Sequence, residues 1–274
     1  LQLRTGNPNL NKSYSNRIRF RFRNRNTDTD RSWFVFAQSR IVANNIGNSS
    51  FIAEVPTELP GGIILEKGSQ LFRPVNLDGY QDFRSWVSYG MPLGFIKSNM
   101  NVYGGLSYNK RPGQVNSQLS FNNSNRISTG VSISSNISDK IDFNISTRFS
   151  WNNVNNTLNP ALDNKFFNQR TRLNLSWIIW EGLIYRVDLN HQINSGLTSE
   201  FDNNFLLINM SIGKKIFKKQ RCEIYLNVYD LLGQNANVRR NVTDIYIEDS
   251  ETNVLSRYFM LTLSYNLRSF SKGM

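Results

Sequence analysis

RYFMLTLSYNLRSF, residues 257–270, presents two faces in a single stretch. Its odd positions are Phe259, Leu261, Leu263, Tyr265 and Leu267. Its even positions are Tyr258, Met260, Thr262, Ser264, Asn266 and Arg268. Alternation with a period of two belongs to a β-strand, whose successive side chains point to opposite faces. Strands of globular proteins usually run about five or six residues. A two-faced strand this long implies a tall boundary between an apolar medium and a wet one.

The same pattern recurs upstream. In DKIDFNISTRFSW (139–151), Ile141, Phe143, Ile145, Thr147, Phe149 and Trp151 alternate with Asp142, Asn144, Ser146, Arg148 and Ser150. In QRTRLNLSWI (169–178), Thr171, Leu173, Leu175 and Trp177 alternate with Arg170, Arg172, Asn174 and Ser176. In GLIYRVDLNHQI (182–193), Leu183, Tyr185, Val187, Leu189 and Ile193 oppose Arg186, Asp188, Asn190 and Gln192. Ile18, Phe20 and Phe22 oppose Arg17, Arg19, Arg21 and Arg23. Sustained alternation argues for strands, and no segment carries the periodicity of an amphipathic helix.

About eleven strands are predicted, over 14–25, 32–45, 77–92, 98–111, 118–138, 140–154, 165–180, 183–196, 202–215, 221–233 and 255–269. Short connections (26–30, 92–97, 138–140, 181–182 and 214–220) alternate with longer ones (46–76, 112–117, 155–164, 197–201 and 234–254). Short turns at one end and long loops at the other mark an all-β, antiparallel up-and-down transmembrane barrel of an outer membrane. Closure would satisfy every backbone N–H and C=O, which a bilayer demands. Aromatics near strand ends (Trp151, Trp177, Trp180, Tyr229 and Tyr265) are expected in the interfacial girdles.

The charges decide which face meets lipid. An arginine or lysine on the lipid face costs about 2–4 kcal/mol at the midplane. Arg19, Arg21, Arg148, Arg172 and Arg186 all fall on the polar parity and are candidates for the lumen. Phe259, Leu261, Leu263, Tyr265, Leu267 and Phe270 are the lipid-facing candidates of the closing strand. Arg257 breaks the parity, but at a strand's start its long side chain can snorkel to the interface. A small soluble barrel would reverse the faces and bury Arg, Asp and Asn in a dry core, at high cost.

Composition agrees with this choice. The 274 residues are 39% hydrophobic and 12% aromatic, with a mean hydropathy of -0.44. No run approaches the roughly 18 apolar residues of a spanning helix. A single cysteine, Cys222, excludes an internal disulfide and a cysteine-based metal cluster. The net charge of +12 invites a nucleic-acid partner. Its arginines and lysines are scattered over polar faces and turns, however, apart from 17–25 and 214–221, so no nucleic-acid partner is expected.

VYDLLGQN (228–235), followed by RNVTDIYIEDSETNVLSRYFMLTLSYNLRSF (240–270), resembles the C-terminal end of a Bacteroidetes outer-membrane β-barrel family related to TonB-dependent receptors. GNPNLNKSYSNRIRF (6–20), PVNLDGY (74–80), YGMPLGFIKSNMN (89–101), YNKRPGQVNSQLSF (108–121), SSNISDKIDF (134–143), LDNKFFNQRTRLNLSWIIWEGL (162–183) and SIGKKIFKKQRCEIYLNVYDLL (211–232) resemble successive segments of that family. The resemblance implies a receptor of about 22 strands around a plug, with a short segment that contacts TonB. Residues 1–274 would then be the C-terminal part of one barrel domain, lacking the plug and the first strands. The implied function is energised uptake of a bulky nutrient. The implied partners are outer-membrane lipid, the remainder of the barrel, the plug and, through it, the TonB system. Phe270 matches the family's aromatic insertion signal, with four residues following it. The other class of function is structural, a barrel scaffold or subunit in an envelope assembly such as a secretion or surface-lipoprotein complex.

Other motifs add little. His191, the single histidine, lies on the apolar parity and excludes a multi-histidine metal site. No catalytic residue, cofactor site or metal site is expected. The acidic stretch DIYIEDSETN (244–253) could hold a cation but suits a solvated external loop better. PGG (60–62) and YGGL (103–106) lack the motif and the following helix of a phosphate-binding loop. Asn241-Val242-Thr243 is a sequon expected by chance in so Asn-rich a chain. The arginine run 17–25 could meet an anionic substrate, a plug's acidic groups or lipid headgroups, and packing against a plug or the lumen is preferred.

Overall fold

The computed structural model describes residues 2–59, 61–135, 137–180, 182–196, 204–216, 222–235, 237–242, 247–252 and 254–265. Within these residues the chain is built from strands. In order they are β1 (Gln2–Arg4), β2 (Tyr14–Asn26), β3 (Arg31–Ala43), β4 (Asn45–Ile52), β5 (Thr57–Leu59), β6 (Ile63–Leu65), β7 (Gln70–Leu77), β8 (Tyr80–Leu93), β9 (Ser98–Val115), β10 (Gln118–Ser135), β11 (Ile141–Asn156), β12 (Asn164–Ile179), β13 (Leu183–Ser195), β14 (Asn204–Ile216), β15 (Cys222–Tyr229), β16 (Asn237–Val242), β17 (Ile247–Thr252) and β18 (Tyr258–Tyr265). The two helical pieces are single 3₁₀ turns, Gly94–Ile96 and Pro160–Leu162.

Eleven of the strands form one antiparallel wall, β2-β3-β8-β9-β10-β11-β12-β13-β14-β15-β18. Each of the eleven strands expected from alternation has its counterpart in that wall. Along most of the wall each strand pairs with the next predicted one, because a meander needs only a local turn to align two alternating sequences. Register keeps the faces in phase. Ile133 lies opposite Ile145, Ile145 opposite Leu173, Leu173 opposite Leu189, and Leu189 opposite Ile208. A slip of one residue at any of these pairs would turn a whole strand inside out.

The connections at the long-loop end depart from expectation. Residues 112–117 are not a loop: β9 and β10 run on as a ladder to Val115 and Gln118. The turn is Asn116-Ser117, with φ of 47° and 67°, the left-handed pair that a two-residue hairpin requires. Pro112 and Gly113 interrupt the alternation there, which hid the strands' extension. Residues 46–76 hold β4, β7 and the small β5–β6 hairpin. β4 runs parallel to the tip of β9 at Ser49↔Gln114 and Ser50↔Val115, and β1 joins the outer side of β7. These strands are short and stable only against the extended β9, a contact that no local periodicity announces. Residues 234–254 hold the β16–β17 hairpin. β15 stops at Tyr229 because Asp230, with φ 52° and 2% exposed, accepts from the Gln234 and Asn235 amides at 2.9 and 3.2 Å. That side chain-to-backbone turn competes with the ladder and ends it.

Among the described residues there is almost no conventional core. The buried apolar side chains described are few: Val42, Ala53, Leu65, Val154, Leu162, Ile184, Phe205, Cys222 and Tyr225. Large apolar side chains stand exposed instead, including Ile18 at 76%, Leu261 at 73%, and Phe259 and Leu263 at 67%. In water such a continuous apolar sheet face would aggregate; in a bilayer it is the solvated face. From Ile141 to Trp151 the strand climbs about 33 Å at ~3.3 Å per residue, or about 25 Å of height at a tilt near 40°, the apolar band of an outer membrane.

Candidate functional site

The two faces of the wall define the site. The apolar face carries Val35, Val87, Leu106, Ile127, Ile145, Leu173, Val187, Met210, Leu226 and Leu261 across ten consecutive strands by register. Aromatics cluster on it: Trp151 lies 5.3 Å from Phe167 and Trp33 lies 4.5 Å from Tyr89. His191 is on this face and pairs through Nε2 with Asn204 Oδ1 at 2.7 Å. Among the described residues no group of three or more His, Cys, Asp or Glu side chains converges as a metal site.

The opposite face is polar and strongly basic. It carries Arg17, Arg19, Arg21, Arg23 and Arg25 of β2, Arg40 of β3, Arg84 of β8, Arg126 of β10, Arg148 of β11, Arg170 and Arg172 of β12, and Arg186 of β13. Its carboxylates are already engaged. Asp82 takes Arg84 at 3.1 Å, Asp188 accepts from Asn174 at 2.6 Å, Asp142 from Ser135 at 3.0 Å, and Glu223 from the Tyr225 hydroxyl at 2.8 Å. Toward the long-loop end, Asp82, Arg84, Arg111 and Arg126 line a concavity of roughly 530 Å³.

Each lumen candidate of the sequence reading falls on this face. Arg19 donates Nε to Gln38 at 3.2 Å. Arg21 sits opposite Phe36 on the exposed edge strand. Arg148 stacks over Trp86 and Tyr103, and Arg186 stacks over Tyr225 at 4.6 Å. Arg172 lies between Ser146 and Asn190. On the closing strand, Phe259, Leu261, Leu263 and Tyr265 share the apolar face, in register with Val228, Leu226, Ile224 and Cys222. Leu267 and Phe270 lie outside the described residues. Arg257 precedes β18 and is no part of the strand, so the parity exception disappears.

Two expectations need correction. Tyr229 is not in a lipid-side girdle. It shares the polar parity with Tyr258 and stacks on it at 4.7 Å. The acidic stretch 244–253, expected as a solvated external loop, holds a strand where it is described, because Ile247–Thr252 pairs as β17.

The sequence reading also missed the aromatics that support the arginines. Trp86, Tyr103 and Tyr225 fall on the polar parity, where aromatics look misplaced. Glycines explain them. A Cβ on Gly105 would meet the Trp86 ring at 2.7 Å, one on Gly130 the Tyr103 ring at 2.7 Å, and one on Gly213 the Tyr225 ring at 2.1 Å. Each ring lies flat over a strand where no side chain stands, and a guanidinium lies over the ring. Glycine on the polar parity beside an aromatic of the facing strand was the available signal.

An antiparallel wall with an exposed apolar face and a basic, hydrogen-bonding reverse face is the wall of an outer-membrane β-barrel. A family model described as an outer membrane protein beta-barrel family matches residues 1–265, and the chain belongs to that family. Its place is the bacterial outer membrane, in contact with that membrane's lipid, and membership of such a family favours a non-enzymatic role. Searches of curated proteins and of solved structures found no match.

Proposed function

We propose that the chain is the C-terminal wall of a TonB-dependent-receptor-like barrel of Bacteroidetes type, which takes up a bulky nutrient with energy delivered through a plug. The observation that carries this reading is the basic face: a broad arginine-bearing surface suits a wide, occupied lumen, whereas a narrow barrel would fill its interior with packed side chains. The odd number of wall strands among the described residues supports a larger, even-stranded barrel completed by further strands. β2 and β18 supply the two edges, which do not pair with each other among the described residues. Plug, TonB and any surface lipoprotein are the partners this reading requires.

The coding sequence upstream of Leu1 is the first test. A plug and a TonB-contacting segment are expected there, and site-directed cross-linking should then trap TonB on that segment in energised cells. An upstream region with neither feature would replace this reading with a scaffold in an envelope assembly.

A further inference from the structure

The centre of the basic face holds an arrangement that costs stability unless something answers it. Arg148 of β11 and Arg170 of β12 are directly opposed cross-strand partners, with Arg172 two residues farther along β12 on the same face. Like charges directly opposite one another destabilise a sheet. None of these guanidiniums forms an ion pair among the described residues, whose ion pairs are Arg25–Asp30, Arg84–Asp82 and Lys215–Glu223. The carboxylate nearest in register, Asp188, is taken up by Asn174.

The cluster is also held in place. Trp86 and Tyr103 stack at 4.9 Å over Gly105 and Gly130, and the Arg148 guanidinium lies 5.7 and 5.5 Å from their ring centres. Arg170 donates both Nε and a terminal nitrogen to Gln192 Oε1, with Nε at 3.0 Å. Stacking and amide contact fix the guanidinium planes of Arg148 and Arg170 and leave N–H edges unused. All three arginines are exposed, so those edges are accessible.

We infer that Arg148, Arg170 and Arg172 form a binding site for a compact, multiply charged oxyanion, with a phosphate ester as the best-matched class. Planar guanidinium forks bind phosphate oxygens in pairs. Three arginines on two adjacent strands match the charge of one phosphorylated group better than a row of separated carboxylates. The inference rests on the polar face being an aqueous lumen.

The test uses the intact protein extracted from outer membranes in zwitterionic detergent, titrated calorimetrically with pyrophosphate, an uncharged sugar and a glutamate-rich peptide. Pyrophosphate is expected to bind saturably and to weaken as salt screens the cluster. Arg148→Gln, Arg170→Gln and Arg172→Gln should each weaken it about tenfold or more, the loss of one charged hydrogen bond. Arg25→Gln, at the short-turn end, should leave it unchanged. Retained heat-modifiable migration shows that each variant is folded, and Arg170→Lys, which keeps the charge, should recover part of the affinity.

Pyrophosphate binding that survives all three Gln variants overturns the inference. So does preference for the peptide, which would make the cluster a docking surface for protein. Labelling of Asn174→Cys with a water-soluble maleimide, in a Cys222→Ser background, checks the lumen separately. Labelling without pyrophosphate binding overturns the oxyanion site alone; absence of labelling overturns the lumen reading and the site together.

Discussion

At the scale of single residues, the sign of the energy of a side chain depends on which parity it occupies. Leu263 is 67% exposed on the apolar face, opposite Ile224. Its neighbour Thr262 points the other way and accepts from Asn227 Nδ2 at 3.0 Å. Leu263→Arg should cost about 2–4 kcal/mol if it meets the bilayer midplane, whereas Thr262→Arg loses one exchangeable hydrogen bond, about 1 kcal/mol. Outer-membrane levels of the two variants measure this: Leu263→Arg is expected to be depleted and Thr262→Arg near normal. Equal levels, or depletion of Thr262→Arg alone, would reverse the assignment of faces.

Asp163, outside the membrane-spanning strands, gives a pH-dependent counterpart. Its carboxyl is held below the ordinary carboxylate value first by the Asn155 side-chain amide at 2.9 Å and then by the Asn156 backbone N–H at 2.7 Å. A lowered folded value means that the contribution is complete above the unfolded value of about 4 and is lost as pH falls through the folded one. Hydrogen exchange at the Asn156 amide, corrected for intrinsic rates, should therefore stay protected at neutral pH and open only below about pH 4. Opening near pH 6 would contradict the assignment.

At the scale of elements, β11 divides its apolar and polar side chains between two faces. Ile145 pairs with Ile133 and Leu173 on the apolar face, and Asn144 with Ser134 and Asn174 on the polar one. Spin labels at the two positions should respond oppositely: strong quenching by a lipid-phase agent at Ile145→Cys and weak quenching at Asn144→Cys. Equal accessibility would show that β11 does not separate lipid from water. The long-alternation strands were readable because each is an unbroken run of period two. β4 and β7 were not, because their eight-residue runs fall in a region expected to loop and their stability comes from docking on β9.

At the scale of the whole molecule, the wall's open edges matter most. β2 exposes a long apolar flank at Ile18, Phe20 and Phe22, and β18 exposes another at Phe259, Leu261 and Leu263. Unpaired strand edges within a bilayer leave backbone groups unsatisfied, at several kcal/mol each. Residues 1–274 expressed alone are therefore expected to give no heat-modifiable, protease-resistant monomer, whereas the same residues within a complete barrel should. A stable monomeric pore from the isolated chain would show that the wall closes on itself.

By itself, the sequence determined the secondary structure class, the wall strands, their division into an apolar and a polar face, and the membrane they imply. These follow from a period of two and the cost of charge in lipid, both local properties of a strand. Only the tertiary structure decided which arginines meet. Arg148 and Arg170 become neighbours through the β11–β12 register, and Arg148 reaches Trp86 across the two intervening strands because Gly105 and Gly130 leave room for the rings. Register is a property of a pair of strands, and the space over a glycine exists only once its neighbour lies beside it, so neither can be read from a single run of residues.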